Sequence, residues 1–354
     1  MNSDRRLRAL AFEPLVAAAK DNPRALLTLA TDAQRSGDHE RCLTLVEKAL
    51  ALKPDDPETK YRARQLRGRA VPSWHFTMMQ DQIRNEAFLE AIERAVQPDM
   101  TVLDIGSGSG LLAMMAARAG AREVHSCEMN PVIAKVAEEI VSRNGFADKV
   151  TIHNKVSQKL DPEADLGGLA DLVISEIIGK DLVCEQVLPS MRDAARRLAK
   201  PGAQFIPHSG EIRIALAHYG KLAKRFVDEA CGFDLTPFNA LHSARFHVQV
   251  YDPALELRSD RASLFDFDFT SRDDHPASAQ IDLVADGGPA NGVVQWFRLQ
   301  MDAHSTFENP PGRDSSWSWA LVFFPFDEEI DLQPGDRVCI EGRIVNNNLC
   351  LWRG

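Results

Sequence analysis

The apolar residues in the first part of this 354-residue chain recur at the spacing of α-helices. Two such stripes lie between residues 22 and 57, separated by the turn-forming Ser-Gly-Asp at 36–38 and ended by Pro54. The pattern predicts two antiparallel helices, which small residues such as Ala49 would allow to approach closely. Because one helical hairpin cannot bury its own apolar face, we expect it to pack on a preceding helix over residues 12–20 and on the following domain.

From residue 71 to 207 the pattern changes to short apolar runs that alternate with amphipathic helices. The runs that we interpret as strands include TVLDI, EVHSC, VTIH and ADLVIS, and amphipathic segments such as PVIAKVAEEIVSR separate them. Strand and helix alternation with short connections is typical of crossover units, which build a parallel sheet with helices on both faces. The fold class that we predict for this part is α/β with a doubly wound sheet.

From residue 208 to 354 the apolar runs are shorter, rich in β-branched and aromatic residues, and separated by turn signals such as DGGPANG and QPGD. This alternation predicts an antiparallel β-barrel or sandwich. We expect one helical insertion in it, at GKLAKRFVDEAC. The sequence therefore divides into a helical segment over 1–70, an α/β domain over 71–207 and a β-domain over 208–354.

Composition narrows the function classes. The chain has 41 Lys and Arg against 51 Asp and Glu, so its formal net charge is −10. This balance argues against a general nucleic-acid binder, which needs a basic surface to displace counterions from phosphate. Six scattered cysteines without a Cys-x-x-Cys pair predict reduced thiols, and no apolar run is long enough to span a bilayer. We expect a cytoplasmic protein without a membrane contact, and the histidine spacings suggest no metal ligands.

A glycine-rich loop follows the first predicted strand of the α/β domain. The sequence Asp104-Ile-Gly106-Ser-Gly108-Ser-Gly110 puts glycines where a strand turns into a helix, so that a ligand can approach the backbone. The spacing fits a nicotinamide fingerprint poorly, because that motif needs its third glycine one residue later. Glu128 ends the second strand, where an acid can accept both hydroxyls of a ribose. We therefore predict a site for a nucleoside cofactor, with Asp104 shaping the loop through backbone hydrogen bonds.

Two acidic residues, Glu176 and Glu185, flank a glycine-containing loop after the fourth strand. Open α/β sheets bind ligands at the carboxyl ends of their strands. Paired carboxylates suit the planar fork of a guanidinium and would draw its charge away from the nitrogen that attacks a methyl group. The alternative is that both acids are solvated charges on a loop and a helix start.

The motif Ser-Glu-x-x-Gly-x-x-Leu-x-x-Glu resembles the double-glutamate loop of protein arginine N-methyltransferases. Upstream, WHFTMMQDQIRNEAFLEAI resembles the N-terminal helices with which that family encloses its substrate. The resemblance covers residues 72–354 and implies a Rossmann-like S-adenosylmethionine-dependent methyltransferase followed by a β-barrel. It also implies that Arg84 binds the methionyl carboxylate of S-adenosyl-L-methionine and that Met78 lies near the transferred methyl group and the target arginine. His75 and Asp81 keep the family's spacing.

The sequence departs from the family's pattern at three positions, one of which is Phe76, where the family commonly has a glutamate. The family's Thr-His-Trp loop falls at residues 315–317, where Trp317 takes the tryptophan position as a substrate contact and Ser316 replaces the histidine that would pair with Asp81. An alternative alignment puts Trp319 in this position. A further alternative is that the tryptophan belongs to the core of the barrel and does not contact the substrate. Ser157 stands where the family has an acid that binds the adenine amino group. The loss of this acid would weaken cofactor binding.

The function that we predict is methyl transfer from S-adenosylmethionine to an arginine guanidino nitrogen of a protein substrate, with Glu176 and Glu185 as catalytic residues. The alternatives are a methyltransferase of the same fold with another acceptor, and a scaffold that binds the cofactor without turnover. The segment ALLTLATDAQRSGDHERCLTLVEKALALKP resembles a tetratricopeptide repeat, found in the family branch with Val-Pro-x-Trp-His-Phe. This resemblance implies protein docking through the N-terminal helices, and the family's dimers imply a homodimer.

Overall fold

The computed structural model describes residues 12–69, 71–312 and 318–354, and it begins with a group of consecutive helices. These are α1 (residues 12–19), α2 (Pro23–Arg35), α3 (His39–Leu52) and α4 (Pro57–Arg69). Asn22 begins α2, because its side-chain oxygen accepts the backbone N–H groups of Arg24 and Ala25, which the helix leaves without partners. α2 and α3 are the two predicted helices, and they pack together in a small apolar core to which α1 and α4 also contribute.

Two further helices lead into the α/β part of the chain. α5 (Trp74–Gln80) is short and has no buried residue, whereas α6 (Gln82–Ala95) buries Phe88 and Ile92 in the main core. Asp81 separates the two helices in an extended conformation (φ −74°, ψ 98°) and caps the start of α6.

A five-stranded parallel sheet forms the centre of the α/β part. Its elements are β1 (Thr101–Ile105), α7 (Leu111–Ala119), β2 (Glu123–Cys127), α8 (Pro131–Arg143), β3 (Val150–His153), β4 (Ala170–Ser175), α9 (Val187–Asp193) and β5 (Ala199–Ile206). The strand order is β3-β2-β1-β4-β5, and all neighbours are parallel. β1 is buried along its whole length, as expected for a strand covered on both faces. The predicted doubly wound sheet is confirmed.

The strand order of this sheet creates a cleft. From β1 the chain moves outward through β2 to β3 and then crosses to β4 on the other side of β1. The loops after β1 and β4 therefore leave the sheet in opposite directions and open a crevice at its carboxyl edge, where sheets of this kind bind ligands.

The rest of the chain is an antiparallel β-structure, as predicted. Its strands are β6 (Ser209–Tyr219), β7 (Glu229–Ala230), β8 (Phe233–Asp234), β9 (Phe246–Val248), β10 (Leu255–Leu257), β11 (Ala262–Asp268), β12 (Ser278–Val284), β13 (Gly288–Gln300), β14 (Thr306–Glu308), β15 (Leu321–Leu332), β16 (Arg337–Val345) and β17 (Asn348–Arg353). A seven-stranded sheet is centred on β6, β13 and β15, and β12, β16 and β17 form a second sheet. One apolar cluster runs from the parallel sheet into the second half, so the two halves share a core.

The helical insertion that we expected at GKLAKRFVDEAC is wrong. The structure has a 3-10 turn at Leu222–Arg225, the small hairpin of β7 and β8, and another 3-10 helix at Thr236–Leu241. Leu222 packs against a cluster of the seven-stranded sheet, but Val227 is 40% exposed, and Phe233 and Phe238 just beyond the segment are 70% and 68% exposed. A helix stabilised by a buried apolar face is therefore not favoured in this segment.

In the described part of the chain, no helix combines the length and the apolar character that a membrane crossing requires.

Candidate active site

The loop after β1 has a backbone conformation that glycine adopts more readily than other residues. Gly106 and Gly108 have φ angles of 91° and 51°. A Cβ atom on Gly106 would lie 2.5 Å from Cγ2 of Ile177, whereas one on Gly108 would meet nothing within 4 Å. The loop thus packs closely on the β4 side and leaves its other side open.

Glu128 follows β2 and holds this loop. Its Oε2 accepts the backbone N–H of Gly108 at 3.2 Å, and its Oε1 accepts the N–H of Asn130 at 2.8 Å. A carboxylate has about four lone-pair sites, so Glu128 can still accept hydrogen bonds from a ligand. The structure therefore brings together the glycine loop and the acid that the sequence paired with it.

Asp104 lies beneath the loop and lines neither of the cavities described below. It is fully buried and accepts a hydrogen bond from Ser126 Oγ at 2.7 Å. The expected backbone hydrogen bonds are replaced by this hydroxyl, because Ser126 stands opposite Asp104 in the β1–β2 register. Burial raises the pKa of Asp104 to about 7, against the lowering effect of the Ser126 hydrogen bond.

Asp81 connects α6 to the antiparallel part. One carboxylate oxygen accepts the backbone N–H of Arg84 at 3.2 Å, and the other accepts the backbone N–H of Ser318 at 3.0 Å. We expected a missing brace here because Ser316 replaces a histidine, and Ser316 itself lies outside the described residues. The side-chain contact from position 316 is therefore not tested, but the backbone N–H of Ser318 supplies Asp81 with a hydrogen bond that does not depend on which side chain the loop carries.

Arg84 and Glu176 form a buried ion pair between α6 and the loop after β4. Arg84 Nη2 donates to Glu176 Oε2, and Nη1 donates to Asn85 Oδ1 at 2.6 Å. Nε of Arg84 has no hydrogen-bond partner among the described residues. Burial raises the pKa of Glu176, and the Arg84 charge opposes that rise. A guanidinium of the protein itself therefore contacts one of the two acids predicted to bind a guanidinium.

The loop that carries Glu176 and Glu185 is held in a fixed shape. Leu182, within it, has a left-handed backbone with φ 70°, a conformation that costs a non-glycine residue about 1–3 kcal/mol. The carboxylate of Asp181, 1% exposed, accepts from Arg245 Nη1 at 2.6 Å and from the backbone N–H of Leu349 at 3.4 Å. Contacts from the β-domain thus fix the acidic loop.

Glu185 is exposed toward the cavities, yet its pKa is raised to about 7. The main cause is desolvation by the surrounding protein, and the negative charges of Glu176 and Asp181 add to it, while Lys180 opposes it. The carboxyl group therefore changes charge near neutral pH.

Two adjoining cavities meet at this loop. The first, of about 560 Å³, lies under the glycine loop and is also lined by Arg84, Glu128 and Ser157. The second, of about 290 Å³, extends toward the β-domain. The residues that line both are Trp74, Met78, Glu176 and Glu185. The two acids therefore stand where a group in the first cavity can meet a group in the second.

The β-domain contributes Trp319 to the second cavity. Its indole Nε1 donates to the backbone oxygen of Ile178 at 3.0 Å, and its ring packs edge-on against Phe297 and Phe307. Trp317, our predicted substrate contact, lies outside the described residues.

Sequence reasoning missed Lys180, Asp181, Arg245 and Ser318 as parts of the site. Lys180 and Asp181 lie inside the double-glutamate motif, so their position could have marked them. Nothing in the spacing predicted Arg245 or Ser318. Arg245 lies 64 positions from its partner Asp181, and Ser318 lies 237 positions from its partner Asp81.

A family model described as Ribosomal protein L11 methyltransferase (PrmA) matches residues 86–215, which contain the parallel sheet. The chain is 36% identical over 303 residues to an "Arginine N(omega)-methyltransferase" of Streptomyces achromogenes subsp. streptozoticus, with 84% of each chain covered. It is 30% identical to "Protein arginine N-methyltransferase 7" of Danio rerio over 79% of this chain and 45% of that protein. Among solved structures, a Trypanosoma brucei "PRMT1 enzyme-prozyme heterotetrameric complex with AdoHcy" matches with a TM-score of 0.70 and 24% identity, over 77% of this chain and 87% of that one.

The parallel sheet, its glycine loop and the match over residues 86–215 define the class: a Rossmann-like methyltransferase. The bacterial relative, which is 36% identical to this chain and covers 84% of it, then gives the family. The chain belongs to the arginine N-methyltransferase family.

Proposed function

We propose that this protein transfers a methyl group from S-adenosyl-L-methionine to a guanidino nitrogen of an arginine side chain in a protein substrate. The observation that carries this proposal is that Glu176 and Glu185 line both cavities. One cavity would hold the methyl donor and the other the arginine, with the acids at the junction.

The residues of the first cavity fit the cofactor. The cofactor would bind against the open side of Gly108 and beside the close-packed Gly106, and its ribose hydroxyls would donate hydrogen bonds to Glu128. The buried and unpartnered Nε of Arg84 is a suitable donor for the methionyl carboxylate, and Met78 would pack near the methyl group. When bound, the cofactor supplies an electrophilic methyl group on a sulfonium. Ser157, 4% exposed at the cavity wall, provides a hydroxyl near the adenine in place of a carboxylate.

Glu176 and Glu185 would orient the acceptor arginine. A guanidinium remains protonated at neutral pH, so its attacking nitrogen needs positive charge drawn to the other nitrogens. Two carboxylates in hydrogen-bond contact provide this and hold the nitrogen in line, which makes catalysis mainly a matter of position and electrostatics. Arg84 partly neutralises Glu176, so the charge of Glu185, when ionised, is the one that the pair leaves uncompensated.

Trp319 supports the alternative alignment, in which it rather than Trp317 takes the family's tryptophan position. Its hydrogen bond to Ile178 fixes the backbone between the two acids, and its ring lies 6.0 Å from the guanidinium carbon of Arg84. The role that we propose for Trp319 is to shape the wall of the arginine cavity.

A methylation assay with labelled S-adenosylmethionine and arginine-containing peptides tests the function. We expect label on arginine and a loss of at least about tenfold in kcat/KM for Glu185→Gln, which keeps the side-chain shape and removes the charge. Label on another acceptor would instead indicate a different methyltransferase. Cofactor binding without any transfer would favour a scaffold, and calorimetry with S-adenosylhomocysteine measures that binding.

We also propose three broader features. The chain divides into residues 1–70, 71–207 and 208–354, and the first of these parts is a tetratricopeptide-like docking segment of the branch with the Val-Pro-x-Trp-His-Phe motif. The protein is cytoplasmic, a proposal supported by six cysteines without a disulfide bond. It forms a homodimer through the exposed apolar residues of the segment 221–241.

A further inference from the structure

One residue of the N-terminal helices lines the first cavity. We call residues 12–69 the helical unit. Its residue His39, where α3 begins, is exposed and lies at the cavity wall together with Met129 of the α/β part. The helical unit has an apolar core separate from the main core. The cavity that we assign to the cofactor is therefore bounded by two parts of the chain with separate cores.

The position of α3 beside α8 explains why His39 reaches this cavity. Glu47 Oε2 lies 3.9 Å from Nζ of Lys135 on α8, and both side chains are partly exposed. Glu47 comes two helical turns after His39, about 12 Å along α3. Lys135 comes about one turn after Pro131, where α8 begins. The start of α3 therefore extends to the loop before α8, whose Met129 lines the same cavity.

Met129 gives this part of the cavity an exposed apolar side chain. It follows Glu128, the residue that we assign to the ribose, and it is 72% exposed. The purine of a nucleoside is bonded directly to the ribose, so a nucleoside held by Glu128 brings its base close to this methionine. Bases stack on aromatic side chains, and histidine is one of them. Met129 and His39 are thus suited to cover a purine.

We propose that the adenine of the cofactor stacks on the imidazole of His39 and also contacts Met129, so that the cofactor joins the helical unit to the α/β part. This inference rests on the cofactor site of the proposed function and leaves its protein acceptor unchanged. It adds to that site a residue that sequence reasoning missed. Two consequences follow: His39 strengthens cofactor binding, and the bound cofactor stabilises the start of α3.

Calorimetry with S-adenosylhomocysteine tests the contact without requiring an acceptor. We expect His39→Ala to raise the Kd by about 5-fold to 150-fold, the range for a base that loses an aromatic partner. The variant should fold, because the side chain of Asp38, not that of His39, caps α3. His39→Phe keeps a flat ring, so its Kd should stay within about threefold of that of the unaltered protein.

Lys48→Ala is the matched control. Lys48 is an exposed residue of the same helix and lies outside both cavities, so its substitution should leave the Kd unchanged. A shorter ligand then locates the contact. Because 5′-methylthioadenosine keeps the nucleoside and lacks the amino-acid part, its Kd should rise in His39→Ala by the same factor.

Hydrogen exchange tests the link between the two parts. In the unaltered protein, S-adenosylhomocysteine should slow exchange of the backbone amides in the first two turns of α3, because opening of this helix would then require loss of the contact with the base. In His39→Ala, saturated with the ligand, the same amides should exchange as they do without ligand.

An unchanged Kd in His39→Ala, or a loss that is absent with 5′-methylthioadenosine, overturns the contact with the adenine. Exchange in α3 that does not respond to the ligand overturns the link to the helical unit. Failure of the proposed function looks different. If the unaltered protein binds neither compound, the cofactor site and this inference both fail. If it binds them but methylates no arginine, the function alone is contradicted, and the calorimetric comparison still decides the contact.

Discussion

At the scale of single residues, the pKa of Glu185 predicts how activity depends on pH. This pKa is raised to about 7, so the group is mostly neutral at pH 6 and mostly ionised at pH 8. Only the ionised form binds a guanidinium strongly. We expect kcat/KM for the arginine acceptor to fall about tenfold per pH unit below 7 and to level off above it, in initial rates measured from pH 5.5 to 9.

Asp104 provides the control, because its pKa is also about 7 but it lines neither cavity. The fall in activity below pH 7 should keep its position in Asp104→Asn. A flat profile between pH 5.5 and 8, or a shifted one in Asp104→Asn, would show that Glu185 does not set the dependence.

The buried ion pair of Arg84 and Glu176 should contribute to the stability of the fold. Removing one partner of a buried pair leaves an uncompensated charge, so Arg84→Met should lower the free energy of unfolding by about 3 kcal/mol. The double variant Arg84→Met/Glu176→Gln should be less destabilised than the sum of the two single variants, as measured by urea unfolding. Additive effects would contradict a direct interaction.

At the scale of elements, the turn from β1 to α7 depends on Gly106. In Gly106→Ala the new methyl group would meet Ile177 at 2.5 Å on a backbone with φ 91°. We expect the affinity for S-adenosylhomocysteine to fall by about tenfold or more, measured by calorimetry. Gly120→Ala is the matched control, since Gly120 has φ 111° at the other end of α7 with nothing near its Cβ position. It should lose stability but keep cofactor affinity.

A change in the loop between β4 and α9 should affect acceptor binding without affecting cofactor binding. Asp181→Asn removes the charge that Arg245 contacts and so loosens the acidic loop without touching the glycine loop. We expect KM for the arginine acceptor to rise by about tenfold while the Kd of S-adenosylhomocysteine changes little. Equal losses in both constants would contradict a role limited to the acceptor side.

The sequence predicted these elements unevenly, for physical reasons. The parallel sheet and the glycine loop follow from local patterns, since period, turn residues and Glu128 are all visible within about 30 residues. The brace from Ser318 to Asp81 was not predictable, because it uses a backbone N–H that any residue supplies. The expected helix at GKLAKRFVDEAC failed because local pattern does not say whether a partner surface exists.

At the scale of the whole molecule, the segment 221–241 predicts self-association. Phe233, Phe238 and Leu241 are between 68% and 75% exposed, which places a contiguous stretch of sequence with large apolar side chains in water. We expect light scattering at micromolar concentration to give twice the mass of one chain. Phe233→Ser/Phe238→Ser should shift the protein toward the mass of one chain, and a protein that is monomeric before substitution would contradict the homodimer.

The contact of Leu349 with Asp181 also affects the order in which the protein matures on the ribosome. Leu349 lies 168 positions after Asp181, whereas Glu128 and its partner Gly108 are 20 positions apart. Because synthesis proceeds from the N-terminus and local contacts form first, the contact between Glu128 and Gly108 can form before Leu349, the partner of Asp181, has been translated. A nascent chain should therefore acquire affinity for the cofactor before affinity for arginine.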